Sequence, residues 1–272
     1  MPNPSSFSEH GFFSEEAEEQ SKLFRDGNIQ YFTLYRRIAN LGYQTIKELR
    51  NSASDIRKGI TTCLTIRALS CYDGIRLCVE KGMEFEARVL LRSQLEATYT
   101  VLACEKDKHF HEHFIKAATK EKHKLLTRLL DSNLPTSNTK ADLKTRAAHL
   151  KKKITENPIK TLSTKEIAIK AGMEKSYNLV YSFYSSTVHV NPLSLQEYIV
   201  FDENVGIKEI IWGPQHERSV GSLLSSMHTM ILCLLGATSI FGVDCENSIG
   251  DMRAQWDKLN SKAKKKMAKR KA

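Results

Sequence analysis

Proline and glycine are scarce in this chain, six and thirteen among 272 residues. Long stretches contain neither, which argues against a many-turned β architecture and for long helices. A basic N-terminal region followed by an apolar run is also missing, so no secretory leader is read. No stretch reaches the ~20 apolar residues that a membrane span requires. The nearest, residues 227–243, contains His228 and several small polar residues and reads as a buried core helix. Walker loop, nucleophile elbow and dinucleotide-binding glycine pattern are all absent, and no cofactor is expected. The expectation is a cytoplasmic protein without a transmembrane segment.

The six cysteines, Cys63, Cys71, Cys78, Cys104, Cys233 and Cys245, follow no regular framework. Cys63, Cys71 and Cys78 lie eight and seven residues apart on one predicted helix, about two turns each. They cannot pair or share a metal there, and they read as buried thiols in a reducing compartment.

Charge is present but unevenly placed. The net value is +10. Residues 1–20 carry five acids and no base, whereas residues 258–272 carry eight bases and no acid. Residues 106–175 hold seventeen Lys or Arg against eight Asp or Glu, and residues 176–257 hold three against nine. A basic middle and tail of this kind attracts RNA or another nucleic acid through phosphate contacts, with Lys151, Lys152, Lys153, Lys264, Lys265 and Lys266 as the candidates. A solvated helical face with a solubilising tail is the equal alternative.

Hydrophobic periodicity predicts a mainly α fold, a bundle of long antiparallel helices with one small β-hairpin at about 196–212. Residues 1–20 read as an acidic segment without fixed structure and 21–257 as one helical domain. Residues 107–160 read as a basic helical insertion and 258–272 as a basic tail. Helices are expected at about 55–80, with Ile56, Ile60, Cys63, Cys71 and Cys78 inward, and at 84–106 after the Lys81-Gly82 stop. A further helix covers 174–190 and ends at Asn191-Pro192. Gly213-Pro214 is expected to open another long helix with proline in its first turn.

Potential chemistry is concentrated in two places. One is Ser176 to Pro192, aromatic and hydroxyl-rich without a charged residue, where Tyr181, Ser185 and His189 share a helical face with Ser186 beside it. The helix C-terminus favours a protonated His189, which suits proton transfer. The other is the 84–106 helix, where Arg88, Arg92 and Glu96 form one stripe among leucines. Charges there need partners, and Arg92–Glu96 supplies one pair in cis. His109 and His113 have a zinc-compatible spacing, but HFHEH is not HExxH and no third ligand stands out, so no metal is expected.

The pattern Gly82, Glu86-Ala87, Leu90-Leu91-Arg92-Ser93 and Glu96, followed far downstream by Tyr177, Tyr181, Ser185 and Val188-His189, resembles the bacterial domain-of-unknown-function family 5677 over about residues 55–200. Members of that family are similar to the helical bundles of the HEPN group. In HEPN ribonucleases an arginine, a polar residue and a histidine form a metal-independent RNase site across a dimer. The resemblance implies a homodimer, a defence or toxin role, His189 as the histidine and Ser185 or Ser186 as the polar residue. No arginine precedes His189 in its own segment, so Arg92 would supply the guanidinium from another helix, with Glu96 orienting one of them. The alternative is a non-enzymatic helical interaction module in which the Arg, Glu, Ser and His side chains form a structural polar network.

Overall fold

Elements are assigned on a computed structural model that describes residues 6–52, 54–132, 137–156, 158, 161–188, 195–202 and 206–271, without the side chains at 6, 137, 138, 186–188, 267, 270 and 271. The helices are α1 (Ser6–His10), α2 (Glu15–Gly27), α3 (Ile29–Ser52), α4 (Ile56–Glu80), α5 (Glu84–Lys106), α6 (Phe110–Asp131), α7 (Ser137–Glu156) and α8 (Thr164–Lys170). A short α9 (Glu174–Ser176) passes through a π-helical turn, Tyr177–Tyr181, into α10 (Ser182–Val188). The hairpin β1 (Ile199–Asp202) and β2 (Gly206–Ile210) precedes α11 (Ser219–Phe241) and α12 (Glu246–Lys271). The fold is mainly α with one small antiparallel hairpin, as the periodicity predicts.

Local chemistry sets the boundaries. Ser14 and Asp55 cap α2 and α4 by accepting from the backbone N–H groups of Ala17 and Lys58. Ser163 and Glu166 form a capping box on α8. Gly242, at φ 69°, closes α11.

The central layer is α4, α5 and α11, flanked by α3 and α12. The core gathers Tyr35, Ile38, Tyr72, Ile75, Leu91, Tyr99, Leu223, Met227 and Met230. Tyr35 and Tyr72 stack at 3.7 Å. Each hydroxyl donates to the other residue's carbonyl, at 2.6 and 3.0 Å, so both buried polar groups are satisfied. Gly236 brings α11 against α5: a Cβ there would lie 2.8 Å from a Leu102 methyl. By length and composition α11 could cross a membrane, but 67% of its apolar window is buried inside the fold. It is a core helix here.

Several expectations are corrected. The inward face of α4 includes Cys71, as expected, with Thr61, Thr65, Ala68, Tyr72, Ile75 and Val79, and Cys78 packs partly buried against it, whereas Ile56 and Cys63 are exposed. Thr61 and Thr65 can be buried because each hydroxyl donates to the carbonyl four residues back, at 2.9 and 2.8 Å. Pro214 lies outside α11, which starts at Ser219. The Gln215 N–H instead donates to the Gly82 carbonyl at 2.8 Å, tying this segment to the α4–α5 turn. The acidic segment is helical at α1 and from Glu15 onward, with Phe7 buried against Phe12 and Trp212. The basic tail continues α12 as helix to Lys271. Asn191-Pro192 falls outside the described residues.

Helices α6 and α7 pack chiefly on each other. Leu143 and Ala147 are buried between them, while Phe110 anchors the base of α6 in the core.

Candidate functional site

Glu84, Arg88, Arg92 and Glu96 recur every four residues, so α5 presents them as one charged stripe. The structure divides this stripe into two clusters with different surroundings.

The inner cluster is centred on Arg88, which is 2% exposed. Its Nε donates to Glu84 Oε1 at 3.1 Å and its Nη1 to Glu197 Oε2 at 2.6 Å. Glu84 also accepts from the Ser219 and Ser222 hydroxyls of α11, at 2.8 and 2.7 Å. Glu197 is shared with Arg218 at 2.6 Å, and the Arg88 guanidinium lies 5.7 Å from the centre of the Phe183 ring. Burying a lone ion is costly, and here each charge has an opposite charge and further hydrogen bonds. This cluster ties α5 to α11 and to the segment that enters the hairpin.

The outer cluster joins Arg92, Glu96 and Tyr181. Arg92 Nε donates to Glu96 Oε1 at 3.2 Å and to the Tyr181 hydroxyl at 3.0 Å. The Tyr181 hydroxyl donates to the same Glu96 oxygen at 2.6 Å. The Arg92 guanidinium also sits 5.4 Å from the Tyr181 ring centre. Burial, and then the acceptor Glu96, push the Tyr181 pKa above the usual tyrosine value, so the phenol is a neutral donor. Unlike Arg88, this group meets solvent: the Arg92 and Glu96 side chains are 24% and 41% exposed. Among the described residues the two terminal amino groups of Arg92 have no acceptor.

Tyr181 reaches α5 from the π-helical turn, a geometry often found at functional sites. The Ser182 hydroxyl donates to the Tyr177 carbonyl at 3.1 Å across that turn. Tyr177 stacks on Tyr181 at 4.9 Å, and Tyr99 hydrogen-bonds Ser176 at 2.9 Å, holding the turn against α5.

Of the residues singled out in the sequence, Arg92, Glu96 and Tyr181 come together, and Arg88 belongs to the inner cluster. Ser185 is half-buried and, among the described residues, bonds to neither. The Ser186 side chain and His189 lie outside the described residues. Lys151, Lys152 and Lys153 are exposed on α7, and Lys264, Lys265 and Lys266 are exposed on α12. Sequence reasoning missed Glu84, Glu197, Arg218, Ser219 and Ser222. The i, i+4 relation of Glu84 to Arg88 was a readable signal. The other four come from distant segments and carry none.

The profile of the family of unknown function DUF5677 matches residues 58–206, more than half of the chain. The chain belongs to this family. The DUF5677 region runs from the first turn of α4 to the start of β2. It contains the whole outer cluster and Glu84, Arg88 and Glu197, while Arg218, Ser219 and Ser222 lie beyond it. Gly82, inside the matched region, has a physical reason: φ is +72°, and a Cβ would lie 2.7 Å from the Gln215 nitrogen. No curated protein and no solved structure matches the chain.

Proposed function

We propose that the chain is an RNA-directed protein of HEPN-like type that cleaves RNA without a metal, using Arg92, Glu96 and Tyr181 together with His189. The observation that carries this reading is the state of Arg92. Its Nε is held by Glu96 and Tyr181, while its terminal amino groups meet no acceptor among the described residues and the side chain is partly open to solvent. A guanidinium oriented through one edge and open at the other suits two phosphate oxygens.

In the proposed reaction the RNA 2′-hydroxyl attacks phosphorus and the bond from phosphorus to the 5′-oxygen breaks. The products are a 2′,3′-cyclic phosphate and a 5′-hydroxyl. His189, next in the chain after α10, takes the 2′ proton or supplies the leaving-group proton, and water carries the other. Arg92 stabilises charge on the non-bridging oxygens. Glu96 and the neutral Tyr181 fix the guanidinium. Lysines of α7 and α12 add sequence-independent phosphate affinity.

Incubation with RNA in EDTA is expected to yield cyclic-phosphate ends, with at least a hundredfold loss in Arg92→Ala and His189→Ala. No cleavage by the wild type, or cleavage unchanged in both variants, contradicts the proposal.

A second reading is a non-enzymatic interaction module whose polar clusters hold the bundle together. The burial of Glu84 and Arg88, with both Glu84 oxygens accepting and Arg88 bonded to two carboxylates, favours it for the inner cluster. It predicts that Arg92→Ala destabilises the fold as strongly as Arg88→Ala.

A further inference from the structure

A cleft of about 480 Å³ opens between α2, α3 and α4, and none of its lining residues belongs to either cluster on α5. Its volume lies in the range of small-molecule sites. On α3, Ile29, Thr33, Arg36, Asn40 and Tyr43 recur every three or four residues and form one stripe. Opposite them, on the antiparallel α4, stand Asp73, Arg76 and Glu80, and Arg25 enters from the end of α2.

Four arginines line this space against two carboxylates. Arg76 is held by Glu80 at 2.7 Å. Arg37 turns to α12, where it meets Gln255 at 2.6 Å and Asp251 at 3.5 Å. The Arg25 and Arg36 side chains make no hydrogen bond among the described residues, and Arg25 feels the charge of Glu18, which lies outside the cleft lining. Guanidinium groups gathered from separate helices repel one another unless an anion lies between them, and paired N–H donors favour phosphate oxygens over a simple halide.

The other end of the cleft has a different chemistry. The Tyr43 hydroxyl donates to Asp73, which raises the Tyr43 pKa to about 12 and keeps it a neutral donor. Asp73 retains further lone pairs, and Asn40 adds an amide to the same lining. Seven residues separate Arg36 from Tyr43, a rise of about 10 Å along α3. That length spans a phosphate at one end and a hydroxylated group at the other.

We propose that this cleft binds a small phosphorylated ligand of sugar-phosphate or nucleotide size, with the phosphate on Arg25 and Arg36 and hydroxyls at Asp73, Asn40 and Tyr43. The site is separate from Arg92, so its occupancy is independent of RNA cleavage.

Calorimetric titration of the full chain tests it, with inorganic phosphate, glucose 6-phosphate, ADP, their unphosphorylated counterparts glucose and adenosine, and a 20-nucleotide RNA as probes. Glucose 6-phosphate or ADP is expected to bind saturably below 1 mM, glucose and adenosine at least tenfold more weakly. The Arg25→Ala/Arg36→Ala variant is expected to lose at least tenfold, and Arg92→Ala to bind as the wild type does. If the double variant fails to fold, Asp73→Asn should weaken the hydroxylated phosphates and leave inorganic phosphate unchanged. The assignment is overturned if no phosphate compound binds, if RNA alone binds, or if the cleft variants bind as the wild type does.

Discussion

Arg88 and Arg92 are one helical turn apart and answer to different physics. Arg88 is buried with Glu84, and removing one partner of such a pair costs about 3–5 kcal/mol, because the other charge is left without compensation. Arg92 and Glu96 share a half-exposed pair, where water screens the interaction to roughly 1 kcal/mol or less. Urea unfolding should therefore show a large loss for Arg88→Ala and a small one for Arg92→Ala; equal losses would make both clusters structural. Titration behaviour also belongs to single residues. Burial lifts Tyr99 and Cys233 to about 12 and Cys104 to about 11. The unfolded chain releases these protons first as pH rises beyond about 9, so stability falls from there toward pH 12. Burial lowers the pKa of His216 and His228. The unfolded chain binds those protons first, and stability also falls as pH drops below about 6.5. Urea midpoints should be highest near pH 7–9; a midpoint that rises from pH 9 to pH 11 would contradict this assignment.

At the scale of the element, Gly82 does two jobs. Its positive φ turns the chain from α4 into α5, and its missing Cβ lets Gln215 approach. Gly82→Ala should cost about 1–3 kcal/mol from the backbone conformation alone, read as a lowered melting temperature with helix content kept. Unchanged melting would contradict both the strain at this φ and the close approach of Gln215. Lys81-Gly82 made α5 legible in the sequence to the residue, because stop signals are local. The inward face of α4 was legible only in part, at Cys71 and Cys78: its other buried positions include threonines whose hydroxyls are satisfied within the helix, and a hydrophobicity pattern passes over them. The start of α11 was misread at Pro214 because a long-range hydrogen bond, not a helical turn, sets that segment. Arg92 and Glu96 could be paired from i, i+4 spacing alone. Their third member, Tyr181, was visible as a polar-face residue, but its meeting with α5 depends on the π-helical turn, which no spacing rule announces.

For the whole molecule, charge and packing separate. The hairpin of α6 and α7 joins the core mainly through Phe110, and its other contacts are largely internal. Replacing residues 114–153 by a short linker should leave cooperative unfolding intact and weaken RNA binding; a chain that no longer folds would make the hairpin part of the core. Lys151, Lys152 and Lys153 changed together to Gln should lower the slope of log affinity against log salt by about 2 if all three meet phosphates. An unchanged slope would assign them to solvation alone.

The most direct measurement pairs two readings on one sample of Arg92→Ala: RNA cleavage in EDTA and the urea midpoint. A midpoint close to that of the wild type with cleavage reduced at least a hundredfold is the predicted result. A collapsed midpoint, or a stable variant that cleaves as the wild type does, would contradict the role given to Arg92.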